Sequence, residues 1–586
     1  MPARAVSIIT GTTPNTYVEA YTGQHEYDAP PGCDFIHFFT PEVGPFLATV
    51  TAPHPIVSAT EVLDVGGIYS NFSNAVRIGS LREPSGFCDV VTLIPGHGGI
   101  TAANNQVIIG GDLFYPQDTN LFGETGVPLD GLPEGVTFKN FLNLDGNNDP
   151  FFLATLQGTG VTAGNALTLA TFSPNRDTVI GKSDASFEYP VNILVRVGDT
   201  VVTSGDNTKV VKAITTLTGS KGTLADGRWR NYLEVNEEDY EDSILVLLTF
   251  TDGSEGIFVI PADSDHSAIY AGSFAWTELP ATGIQFNITG LEEDTITSFG
   301  LPSIDPDAYA VLANVEFSGS FSAVDAAKPL VTKTAANTAS LSSSNLVLIT
   351  GPANGSYGSY VLARKGDSVP VDANGNEWNG VTIAGFSDPV VGEEGEVACL
   401  VTLAGLPHGP ITGVEYTGTA TQLSLLANVG AAAPDISGTG TVGHWASFQS
   451  LVLPAVGFEL YFDDFLARPG LAHPASSGPD IGESGPIFLA TLKISGSDHV
   501  DASNDLGLWA VDGYGTLQLL FRSGQTVNIS KGSTKRVRTF TALDAAPGSL
   551  GAATGYDGFG AVAVVATFTD GTSAMIYLEI PGVEIP

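Results

Sequence analysis

Four histidines occupy related places in the chain. TAPHP carries His54, LIPGHGG His97, AGLPHGP His408 and SGSDHV His499, each a few residues past an apolar stretch closing on Thr49, Thr92, Thr402 or Thr491. Imidazole is the usual transition-metal ligand, so a ring of such loops reads as a candidate metal site or a pH-sensitive surface. A second candidate is calcium, for which oxygen-rich turns with Asp or Asn at alternating positions are suited. NLDGNND supplies Asp145, Asn147 and Asp149, and DANGNEW spans 372–378. The second lacks an EF-hand's glycine and closing glutamate, because Glu377 and Ile383 stand there. Asx turns of this kind mostly satisfy their own backbone. For hydrolysis, Asp498, Asp501 and Asp505 lie close to His499 and Trp509, as paired carboxylates for general acid and base work would. With 63 acidic residues such neighbours arise by chance. No GxSxG, HExxH or GxxxxGK[ST] motif is present.

The elements that must position these groups are strands. Short runs rich in Val, Thr, Phe, Leu and Ile are punctuated by Gly, Pro, Asn or Asp, which reads as all-β. One strand recurs as GPFLATV (44–50), DVVTL (89–93), PFFLATL (150–156), VLLTF (246–250), EVACLVTL (396–403), PIFLATL (486–492) and VAVVATF (562–568). A second ends in a Gly turn, as in LVRVGD (194–199), VLARKGD (361–367), LLANVG (425–430) and LLFRSGQ (519–525). Gly suits a strand that must leave through positive φ. With a shorter strand between them, these form a repeated four-stranded unit.

The halves also match. PFFLATL at 150 parallels PIFLATL at 486, KVVKAITTL at 209 parallels KRVRTFTAL at 535, and FTDG occurs at 250 and 568. The chain therefore reads as a single β-propeller over 1–586, built from similar halves, about 1–262 and 263–586, with about eight blades (seven to nine). The C-terminal unit lacks its last strand and VEAYTGQ (18–24) lacks its first ones, so pairing of residues 18–24 with 562–580 is expected to close the ring.

Composition narrows the function. With 23 basic against 63 acidic side chains and a formal charge of -40, the chain lacks the Lys and Arg that nucleic acid or anionic membranes require. A hydrophobic fraction of 43% is that of a folded protein, unlike a charge-dense disordered one. Cys33, Cys88 and Cys399 show no metal-binding spacing. No apolar stretch is long enough for a signal segment or a membrane helix. The basic cluster Lys531, Lys535, Arg536 and Arg538 alternates as an exposed strand face and is expected to make contacts within the chain or between subunits.

GEEGEVACLVTL (392–403), DGFGAVAVVATF (557–568) and VLARKGDSVP (361–370) resemble the NxxGxxAF tandem-repeat proteins of bacterial surfaces. Gly392 or Asp557 stands for the motif's Asn, and Cys399 or Val564 for its Phe. The resemblance runs from about residue 18 to 581 and implies an exported propeller-like array without an established activity. The expected function is a non-enzymatic extracellular or surface module that presents loops to a protein or glycan ligand, with no cofactor unless it is Ca2+. The alternatives are a propeller glycoside hydrolase or lyase with axial carboxylates, and a self-associating component of a filament, surface layer or phage-like particle.

Overall fold

The computed structural model describes residues 5–10, 17–18, 35–38, 45–50, 76–80, 89–91, 100–103, 106–109, 121–124, 136–145, 151–172, 191–203, 207–216, 232–233, 243–261, 277–281, 291, 294–304, 308–316, 345–352, 359–392, 395–417, 423–453, 485–530, 533–543 and 561–581. The protein is all-β. Its described strands form eight antiparallel sheets and no helix.

Four strands in chain order make the core of a sheet. In one, Thr137–Asp145, Phe151–Gln157, Leu167–Phe172 and Val191–Arg196 pair in sequence. In another, Thr441–Val452, Ile487–Leu492, Leu506–Val511 and Leu517–Arg522 do so. The strand expected to open each unit is thus inside its sheet, paired with an earlier strand, Thr137–Asp145 in the first case and Thr441–Val452 in the second. DVVTL departs from this pattern. Asp89–Val91 is the fourth strand of its sheet, paired with Val76–Ser80, while Pro45–Val50 holds the second place.

The apolar runs are continuous because the inner strands that carry them are buried on both faces. In Val397–Ala404, Ala398 and Leu400 pack with Trp445, Phe488 and Trp509 of the following sheet. Val397, Cys399, Val401 and Leu403 instead face Ala310, Leu312 and Leu348 of the preceding one. The period of two therefore separates two cores. Each fully buried Leu, Val or Phe contributes about 1.5–3 kcal/mol.

The glycine exits join one sheet to the next. Gly198, Gly366, Gly430 and Gly524 have φ of 97, 98, 91 and 78°. Their N–H groups donate to the carbonyls of Val211, Ile383, Trp445 and Val537 at 2.8, 2.7, 2.9 and 2.8 Å, each on the first long strand of the following sheet. The N–H groups of those same four residues donate back to Asp199, Asp367, Ala431 and Gln525.

The termini share one sheet. Ala5–Thr10 pairs with Ser573–Glu579, with Ile8 opposite Ile576 and Thr10 opposite Ala574. The expected segment 18–24 does not take this place. Tyr17–Val18 pairs outside Ala5–Thr10, and 19–24 lie outside the described residues. AVSIIT carries no charge or Gly, whereas VEAYTGQ brings Glu19 and a glycine break into a strand flanked by apolar neighbours.

Candidate functional site

The sequence candidates concentrate in the loop between Ile487–Leu492 and Leu506–Val511. Its base is closed by Leu492 N–H donating to the Asp505 carbonyl at 2.7 Å, and Ser495 and Val500 exchange two backbone bonds of 3.0 Å. Val500 is buried among Trp445 and Leu492, which pins the loop to the core. The Asn504 side chain organises the rest. Its Oδ1 accepts from Asp501 N–H at 2.8 Å and its Nδ2 donates to the His499 carbonyl at 3.0 Å.

The carboxylates serve this loop. Asp501 Oδ1 accepts from Ser503 N–H at 2.7 Å and Ser503 Oγ at 2.6 Å, and these two bonds are the main reason its carboxyl lies below the ordinary range. Asp498 reaches outside the loop to His444, on Thr441–Val452, with Oδ2 3.3 Å from Nδ1. That contact is the first cause of its depressed value, and Ser495 and Ser497 add to it. Ser497 Oγ donates to Asp498 Oδ1 at 3.2 Å and bonds Ser495 Oγ at 2.7 Å. The carboxylate thus stands between the imidazole and the hydroxyls. A nucleophilic relay needs the imidazole in the middle, so this order does not activate a serine. Asp505 lies near Arg522, whose Nε donates to the Asn504 carbonyl.

A second loop has the same construction. Asn165 Oδ1 accepts from Thr162 N–H at 2.6 Å, its Nδ2 donates to the Gly160 carbonyl at 3.1 Å, and Arg196 Nε donates to the Asn165 carbonyl at 2.7 Å. Gly160, at φ 78°, occupies the place that His499 fills at φ 55°. The lysines match likewise. Lys209 bonds Ser254, approaches Asp252 at 3.6 Å and lies 5.3 Å over the Phe250 ring. Lys535 bonds Thr572, approaches Asp570 at 3.0 Å and lies 5.6 Å over Phe568. One member of the expected basic patch is therefore spent inside the chain.

Of the four histidines, His408 and His499 are exposed, His408 in the loop between Val397–Ala404 and Ile411–Tyr416 and His499 in that between Ile487–Leu492 and Leu506–Val511. His54 and His97 lie outside the described residues. Among the described residues, no three His, Cys, Asp or Glu side chains form a metal-sized group. Asp145 ends its strand opposite Phe151, and Asn147 and Asp149 lie outside the described residues. In the related turn, Asp372 Oδ1 accepts from Asn374 N–H at 3.0 Å and Asn376 N–H at 2.8 Å, the self-satisfied Asx arrangement. The residue that sequence reasoning missed is His444, 54 positions from its carboxylate.

Residues 454–579 match the model of a family of unknown function, DUF7453. A search of curated proteins returns no match. Solved structures with a similar chain path include an α-L-arabinanase of Penicillium chrysogenum complexed with arabinobiose (10% identity, TM-score 0.26, 80% of this chain and 100% of that chain). The WD40 domain of SCAP from fission yeast gives 8% identity, TM-score 0.26, and 94% and 97% coverage. The Trypanosoma rangeli sialidase gives 10% identity, TM-score 0.23, and 76% and 55% coverage. Similarity at this level extends to no site or activity.

Proposed function

We propose that the chain is an eight-bladed propeller, closed by its N-terminal strand, that works as a non-enzymatic binding platform at a cell surface or outside the cell. The observation that carries this reading is the use of the candidate carboxylates. Asp498 and Asp501 are committed to hydrogen bonds that shape their own loop and to His444, in an order that activates no nucleophile. With the inner strands buried on both faces, the loops and turns are left to meet a partner. Two of them offer apolar contact. Tyr514 is 74% exposed at the tip of a turn fixed by Asp512 Oδ1, which accepts from the N–H of both Tyr514 and Thr516. Ile436 is 43% exposed on an adjacent turn, where Asp435 accepts from Leu519 N–H at 3.1 Å. A rigidly mounted tyrosine suits the flat face of a sugar or an apolar protein surface.

The matched lysine and asparagine staples support descent of the two halves from one ancestor. The test is a panel of neutral and acidic polysaccharides, assayed in parallel for retention of the protein and for release of reducing ends. Retention without release, weakened by Tyr514→Ala, is expected. Release that Asp498→Asn abolishes would show an enzyme instead.

A further inference from the structure

The strand Ile411–Tyr416 carries an acid where its neighbours carry aliphatic side chains. Val414 faces Trp445 and Trp509. Glu415 has the opposite parity and stands directly across from Cys399, which packs with Ala310, Leu312 and Leu348 of the adjoining sheet. Glu415 is 3% exposed, and its Oε2 is inaccessible and has no hydrogen-bond partner. An ionised carboxylate in such a place costs far more than a neutral one.

Among the described residues, the packed elements offer its Oε2 no hydrogen-bond donor. Val397–Ala404 contributes the Cys399 thiol, and Ser424–Asn428 and Thr382–Phe386 contribute no titratable group. The facing strands present Ala310, Leu312 and Leu348. From the turn after Tyr360–Arg364 the like charge of Asp367 acts on it, and the Asp367 Oδ2 accepts from Arg364 N–H at 2.8 Å. Lys365, beside that turn, is exposed.

We propose that Glu415 is a pH-operated latch between the sheet of Val397–Ala404 and the sheet of Ala308–Glu316, closed when the carboxyl is protonated and loosened, with Cys399 uncovered, when it ionises. Burial first, and then Asp367, raise the carboxyl from 4.5 to about 7, which places the transition near neutrality. Opening returns the group to water and its ordinary value. Linkage then makes the opened population rise on the order of 70-fold between pH 5 and pH 8.

The experiment uses the full chain with Cys33→Ser and Cys88→Ser, so that Cys399 is the remaining thiol. Its labelling rate is measured from pH 5 to 8 and divided by that of the unfolded chain, which removes the thiol's own titration. Hydrogen exchange is followed on the same samples. The corrected rate should rise by tens of fold, with protection lost in 397–404 and 411–416 while 561–568 and 573–579 stay protected. With Glu415→Gln the corrected rate should be flat. A flat rate in the parent, an unchanged rise in Glu415→Gln, or simultaneous loss of protection in all four strands would overturn the latch.

Discussion

His499 and Glu415 both hold places that cost the fold something. His499 holds φ 55°, a left-handed conformation that its counterpart Gly160 adopts without a Cβ. The replacement His499→Gly is expected to raise stability by about 0.5–1 kcal/mol in urea unfolding. A loss of stability would mean that the imidazole makes a contact that outweighs the strain. For Glu415, the folded-state value of about 7 lies above the ordinary 4.5, so its contribution is fully present below about pH 4.5 and fades as pH rises through 7. Glu415→Gln should therefore leave stability near its parent value at pH 4.5 and add about 3 kcal/mol at pH 8 or above. Equal effects at both pH values would contradict the assignment. In ITGVEY the alternation sets Val414 and Tyr416 on one face and Glu415 on the other, so the inward place of the acid was not readable there; it follows from the second buried face of the strand. The His444 contact with Asp498 was not readable either, because it depends on which strand lies beside the loop, and local spacing carries no such information.

Among the elements, the glycine exits were the most legible, because positive φ restricts the residue type at a single position. Their environments differ, and the difference makes a paired prediction. A Cβ on Gly366 would meet open space, whereas one on Gly524 would lie 2.6 Å from Asn504 Cβ. Gly366→Ala should cost about 1 kcal/mol from the backbone alone, and Gly524→Ala about 2–3 kcal/mol, because it also displaces the loop built on Asn504. Thermal unfolding of both variants checks the order, and equal losses would place the Asn504 loop elsewhere. The strands that precede the repeated ones were harder to read. In Thr441–Val452 the register shifts between Trp445 and Ser447 and again between Phe448 and Ser450. Each bulge inverts the alternation, so a period-two pattern breaks within a single strand.

At the scale of the molecule, the two-faced burial of the inner strands explains why continuous runs such as SILVLLTF occur in antiparallel strands. Leu245 and Leu247 enter one core, and Ile244, Val246 and Leu248 the other. The all-β class was legible in the punctuation, and the incomplete C-terminal unit pointed to an N-terminal strand beside it, though to 18–24 and not to Ala5–Thr10. The identity of the joining strand was not legible, since both Ala5–Thr10 and the residues after it have strand-like composition. Removing residues 1–10 should lower the thermal midpoint and expose Ser573–Glu579 as an open edge, seen as concentration-dependent association. An unchanged midpoint with a monodisperse monomer would count against a fastening role. The most direct measurement introduces cysteines at Ser7 and Tyr577, which face each other in the pairing, with Cys33 and Cys88 replaced by serine. The account predicts that mild oxidation yields a disulfide within one chain, seen as a monomer with shifted mobility on a non-reducing gel. Thiols that stay reduced, or a disulfide that joins two chains, would contradict it.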